Sequence, residues 1–196
     1  MSTSPGRPDC RGVTLVELVV FIIIVGVAVA GLFAAFNTIT AASADPQVRK
    51  QVLAIAESLM EEVQLMPFTY CDPDDANAAT AGPGGCAVAS NNEDLVMGPE
   101  GGETRYSSST PFDNVSDYNN APIGPGAPGT PGIFDITGTN VGGLEAYTAT
   151  IAVTQAGLGG IAAADALRIA VTVTGPTGVS VTLEGYRTRY APNSLP

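Results

Sequence analysis

The sequence predicts an α+β fold, in which a long N-terminal helix, apolar in its first half and amphipathic in its second, packs on a small antiparallel β-sheet. Three observations predict it. An apolar run occupies residues 13–36, an apolar stripe at spacings of three and four occupies residues 48–66, and three alternating segments follow residue 143.

Residues 1–12 are polar, with Arg7 and Arg11 as the basic members, and in the next 24 residues Glu17 is the only charged one. As a helix rising ~1.5 Å per residue, that run reaches about 36 Å, enough to cross a hydrocarbon core of roughly 30 Å. Phe21-Ile22-Ile23-Ile24-Val25 would suit a buried strand by propensity. Strands seldom run so far, however, and lipid requires backbone groups to be satisfied within the segment. The two arginines just ahead of the run, with no base after it until Arg49, predict a cytoplasmic N-terminus and residues 40–196 on the opposite side.

Ser43-Ala44-Asp45-Pro46 reads as an N-cap followed by proline at a first helical position. From there Val48, Val52, Ile55, Leu59, Val63 and Met66 form one apolar stripe, with Arg49, Lys50, Glu57, Ser58, Glu61 and Glu62 on the other faces, and Pro67 ends the pattern. The prediction is either one helix over 13–66 with a bend near Pro46 or two helices abutting there.

Residues 67–143 carry turn chemistry in place of periodicity, as in Gly82-Pro83-Gly84-Gly85 and Gly124-Pro125-Gly126-Ala127-Pro128-Gly129, and are expected to wrap over a sheet as functional surface. Within 144–196, alternation over 144–155, 165–175 and 179–190 predicts three strands, each with one buried face. Gly175-Pro176-Thr177-Gly178 closes the second hairpin, and residues 157–164 connect the first two strands. The apolar face of this meander needs a cover, and the 46–66 stripe is the candidate.

Composition excludes several classes. A formal net charge of −11, with only eight basic residues, speaks against nucleic-acid binding. Histidine is absent, which removes the commonest general base and metal ligand. No Walker or dinucleotide-binding glycine motif is present, because Gly26 and Gly31 fall inside the apolar run. No enzyme and no cofactor are therefore expected. Of the three cysteines, Cys10 lies in the polar leader, while Cys71 and Cys86, 15 residues apart, fit one disulfide made in an oxidising compartment; two free thiols are the alternative.

The junction between leader and span is the most specific feature. Gly12-Val13-Thr14-Leu15-Val16-Glu17-Leu18 follows a short basic leader and opens directly into the apolar run. It resembles the processing site of type IV prepilins and related pseudopilins, with Val13 where phenylalanine or methionine is usual. The resemblance implies a type IV pilin fold, cleavage after Gly12 by the membrane prepilin peptidase, and N-methylation of Val13. It also implies an assembly role for Glu17, whose carboxylate would pair with the N-terminal amine of a neighbouring subunit; a pair within the chain, with the cleaved amine of Val13 four residues away, is the alternative. Independently, a lone carboxylate near the start of a span is costly and is usually partnered. The domain plan is then a cleaved leader 1–12, a membrane and filament-core helix 13–36, its amphipathic continuation 37–66, a loop-rich region 67–143 and a sheet 144–196. Loss of Arg7, Arg11 and Asp9 with the leader takes the formal charge from −11 to −12.

Ala44-Asp45-Pro46, the 51–59 segment, the 67–75 segment and the 112–119 segment further resemble the minor pilin D family of mannose-sensitive haemagglutinin-type pilus systems. The implied setting is the bacterial inner membrane and then a pilus, with prepilin peptidase, other pilin subunits and an assembly platform as partners. A type II secretion pseudopilin and an unprocessed membrane-anchored binding domain are the alternatives. Asp72, Asp74, Asp75 and Asn77 could offer oxygen ligands to Ca²⁺, but the stretch lacks EF-hand spacing and reads as a solvated turn with no metal. Asp113, Asp117 and Asn119 form a similar cluster read the same way, with calcium binding as the alternative.

Overall fold

The structure is a computed structural model that describes residues 13–94 and 97–194, with side chains left out of account over 38–45. It contains one α-helix, α1 (Leu15–Leu65), and three strands, β1 (Thr148–Gln155), β2 (Ala166–Thr174) and β3 (Ser180–Thr188), with short 3-10 turns at Ala89–Asn91, Ser116–Tyr118 and Ala163–Asp165. The chain divides into two compact units, Met1–Ala44 and Asp45–Pro196. The α+β class with a type IV pilin-like element order is the one found. The N-cap expected over Ser43-Ala44-Asp45 is not: helix is assigned straight through Pro46. Proline there lacks the N–H that would bond the carbonyl four residues back, and α1 carries that single loss.

In the first unit, α1 is apolar on all sides from Leu18 to Phe36, with Glu17 in its first turn, and its side chains over 15–37 are exposed. In the second unit, the stripe buries as expected. Val52, Ile55, Ala56, Leu59 and Val63 join one core with Tyr147 just before β1, with Ala149, Ile151 and Val153 of β1, and with Leu167, Ile169, Val171 and Val173 of β2. Val181 and Leu183 of β3 close the core at its margin, half-buried.

The sheet is an antiparallel meander in the order β1-β2-β3, with Ile151 opposite Val171 and Val171 opposite Leu183. Pairing in this register puts every predicted apolar position on the helix side, since a shift of one residue would turn them all outward. The β1–β2 connection ends in a two-residue turn in which Leu158 and Ile161 exchange backbone hydrogen bonds of 3.2 and 2.9 Å. Its central residues, Gly159 and Gly160, both have positive φ (56° and 95°), the conformation of the tight hairpin turn whose twist matches the strands.

The 67–143 region does more than decorate the surface. Phe68, Phe112, Val115, Tyr118, Ala121, Ile123 and Ile133 are buried in the same core as the helix stripe and the sheet. The region also covers the free edge of β1. Asn120 N–H donates to the Ile151 carbonyl (2.9 Å), Gly132 N–H to that of Tyr147 (2.8 Å), and Asn119 Oδ1 accepts from Val153 N–H (3.0 Å). These bonds satisfy edge groups that would otherwise invite pairing with another chain.

Candidate functional site

The head of α1 is built by its own first residues. Helix begins at Leu15, and Thr14 sits just before it as the N-cap. The Thr14 carbonyl accepts the N–H of Leu18 (3.1 Å), and Thr14 Oγ1 accepts the N–H of Glu17 (3.3 Å). A threonine followed three residues later by glutamate is the capping-box pattern, which answers an N–H that no turn of helix can reach. Glu17 thereby stands in the first turn, where the helix dipole favours a negative charge. Sequence reasoning singled out Glu17 for its charge and missed the cap, although Thr14-Leu15-Val16-Glu17 carries the signal. Val13 is exposed immediately ahead of the cap. Gly12, with Arg7, Cys10 and Arg11, lies outside the described residues.

Behind this head, Leu15–Asn37 has a mean hydropathy of 3.0 and no part of its span is buried. A helix of that length and apolarity fits membrane anchoring.

In the second unit, Cys71 and Cys86 form a disulfide with Cα atoms 5.5 Å apart. It packs with Ala78 and Ala81 in a small separate core. Asp75 fastens the loop: Oδ1 accepts the N–H groups of Asn77 (2.8 Å) and Ala87 (2.9 Å), and Oδ2 that of Val88 (3.0 Å). Burial pushes the Asp75 carboxyl up, but these backbone donors outweigh it and hold the group below the usual carboxylate range. Asn77 is exposed and clips the same loop through the Gly85 carbonyl (3.0 Å). The C-terminal segment locks on from outside, with Asn193 Nδ2 donating to the carbonyls of Ala78 (3.0 Å) and Ala81 (2.9 Å).

The acidic residues are not the solvated turns that their local sequence predicts. Asp72 and Asp75 are buried, and so are Glu93 and Asp117, while Glu100, Glu103 and Asp113 are half-buried; Asp74 alone of the first cluster's acids is exposed. Polar neighbours in sequence say nothing of what other loops bring to them, and here carboxylate oxygens of Glu93, Glu100 and Asp113 lie within 4.8 Å of those of Asp72. Asn119 leaves its cluster to bond β1 and the Met97 carbonyl. Burial first, and neighbouring carboxylates next, push Asp113 up to about 7. Burial and the Glu100 and Asp113 charges push Asp117 up to about 8 against the pull of two backbone N–H groups. Glu93, Glu100 and Glu103 are raised as well, burial again leading.

Residues 7–33 match the family described as the prokaryotic N-terminal methylation motif. The match takes in both leader arginines, Gly12, Val13, Thr14, Glu17 and most of the exposed apolar helix. Comparison with curated proteins and with solved structures finds no match. The chain thus carries a prokaryotic N-terminal methylation motif at the head of a helix long and apolar enough to cross a membrane.

Proposed function

We propose that the protein is a pilin-like structural subunit, made as a precursor, cut after Gly12 by prepilin peptidase, methylated at Val13 and assembled into a filament through α1. One observation carries the reading: the methylation motif over 7–33 coincides with a helical span long and apolar enough to cross a membrane, whose single charge is Glu17. A helix of that kind serves two environments in turn, lipid before assembly and neighbouring helices afterwards. In the second, Glu17 gains a partner in the N-terminal amine of an adjacent Val13, which offsets the cost of a carboxylate in an apolar setting. The leader arginines support an inner-membrane topology with the N-terminus cytoplasmic and the sheet domain periplasmic, where the Cys71–Cys86 disulfide is at home.

Within this class the segments resembling minor pilin D favour a minor pilin of a mannose-sensitive haemagglutinin-type pilus. A type II secretion pseudopilin shares the same processing motif. N-terminal sequencing and intact mass of the protein from its native host test the common step. The expected mature chain starts at methylated Val13, and a chain starting at Met1 defeats the filament reading. Loss of pili against loss of exoprotein secretion in a deletion strain then separates the two systems.

A further inference from the structure

We infer that Asp72, Glu93, Glu100, Glu103, Asp113 and Asp117 form a calcium-binding site that ties together the loops between α1 and the sheet. Carboxylate oxygens of Asp72, Glu93 and Glu100 lie within 4.8 Å of one another, as do those of Glu100, Glu103 and Asp117, and those of Asp72, Asp74 and Asp113. Asp72 and Glu100 each belong to two of these groups, so the cluster is continuous. Oxygens bound to one Ca²⁺ at about 2.3–2.6 Å are separated by no more than about twice that distance. Each group of three meets that condition, and Asp72 and Glu100 link the groups.

Proximity of acids alone would mean little; the state of their oxygens is the second observation. Glu93 and Asp117 are both 0% exposed; among the described residues Asp117 Oδ1 has no hydrogen-bond partner, and no N–H or hydroxyl donor reaches Glu93 Oε1, which has the Glu100 carboxyl beside it. Nor does such a donor reach Asp72 Oδ2, Asp113 Oδ1 or either carboxylate oxygen of Glu100. In three cases the second oxygen is held from behind. Ser116 Oγ donates to Glu93 Oε2, the N–H groups of Asp113 (3.0 Å) and Asn114 (2.7 Å) donate to Asp117 Oδ2, and Asp74 N–H donates to Asp72 Oδ1 (2.6 Å). Each carboxylate is thus oriented by one oxygen and offers the other to the cluster, the arrangement of ligands positioned by an outer ring of hydrogen bonds.

No arginine or lysine neutralises the group: among the described residues, none of the six takes part in an ion pair. The strongest neighbouring charges acting on Glu93, Glu103, Asp113 and Asp117 are other carboxylates. Buried like charges with free lone pairs call for a cation. The donor set is all oxygen, since the chain has no histidine and Cys71 and Cys86 are bonded to each other. That selects a hard ion, and a crowd of carboxylates from separate loops suits the flexible, high coordination of Ca²⁺ better than the octahedral, water-retaining Mg²⁺. The ligands are not the contiguous Asp72–Asn77 stretch that sequence alone brings forward.

The test uses the full chain in detergent micelles, stripped with EDTA. Calorimetric titration with CaCl₂ is expected to show saturable binding, and the melting temperature should rise when calcium replaces EDTA. Glu100→Gln, which removes the one carboxylate common to two of the three groups of acids besides Asp72, should weaken calcium binding by roughly tenfold or more. Asp113→Asn, at a half-buried position, should do likewise and stands in if the first variant does not fold. Absence of calcium heat together with equal melting temperatures in EDTA and calcium overturns the site. Equal binding of MgCl₂ overturns its assignment to calcium. Neither result touches the processing and assembly of the N-terminal helix.

Discussion

Arg105 holds Glu62 of α1 in a two-pronged ion pair, with Nε to Oε1 at 2.7 Å and Nη2 to Oε2 at 2.6 Å. Arg105 Nη1 donates to the Phe134 carbonyl (2.7 Å), and Tyr118 Oη donates to Glu62 Oε1 (2.9 Å). Two loops are therefore pinned to the helix at one carboxylate. With side chains only 5% and 18% exposed, breaking the pair strands a buried charge. Arg105→Ala should destabilise the protein by about 3 kcal/mol or more. Denaturation of the full chain in micelles measures it, and a loss under 1 kcal/mol would mean that water replaces the arginine freely.

A second prediction concerns backbone against backbone. A Cβ on Gly124 would stand 2.0 Å from the Gly132 carbonyl oxygen, where no side chain can yield. The two strands of loop are held in place by Gly132 N–H to the Tyr147 carbonyl (2.8 Å) and Phe134 N–H to that of Ile123 (3.0 Å). Gly124→Ala should cost about 3 kcal/mol, near the top of the overpacking range. Gly101, whose added Cβ would meet nothing within 4 Å, is the control, and its alanine variant should stay within about 0.5 kcal/mol of wild type. Equal melting temperatures for the two variants would contradict the packing described.

The Cys71–Cys86 loop has two fasteners of different kinds. Closing 15 residues covalently is worth roughly 3 kcal/mol in the chain-entropy account, which the double serine variant should lose. Asp75 acts by charge, accepting three backbone N–H groups. Its folded pKa is lowered, so its contribution is present above the ordinary carboxylate range and is lost as pH falls through the folded value. The melting-temperature gap between wild type and Asp75→Asn should be open at neutral pH and close in strong acid. A gap that is constant from neutral to strong acid would assign the role of Asp75 to shape alone.

How far these features were legible follows from the distance over which each is encoded. The stripe from Val52 to Val63 and the alternation of β1 and β2 are periodic within single segments, so pattern alone places their buried faces. Phe112, Val115, Ile123 and Ile133 are as deeply buried, yet they stand singly among Gly, Pro and Ser, with no period to announce a core. Glu62 falls on the polar side of the helical pattern and finds Arg105 43 positions away. The burial of Asp72 and Asp117 is likewise tertiary, made by loops whose closure no local signal states. The methylation motif over 7–33 was readable for the opposite reason, since it is written in one contiguous stretch of sequence.

The head of α1 separates two roles that one residue could confuse. The Thr14 hydroxyl meets the backbone N–H of Glu17, not its carboxylate, so the cap and the charge can be removed independently. Thr14→Ala should cost about 1 kcal/mol of helix stability at the first turn and leave the charge in place. Glu17→Gln keeps the cap and the side-chain shape while deleting the charge. In the native host, Glu17→Gln should still be inserted and cut after Gly12 but should fail to enter filaments, because the neighbouring amine loses its counter-charge. Thr14→Ala should enter them nearly as wild type does. The measurement is the ratio of mature protein in sheared filaments to that in the membrane fraction. If Glu17→Gln partitions like wild type, assembly rests on apolar helix packing alone and the charge pair has no part in it.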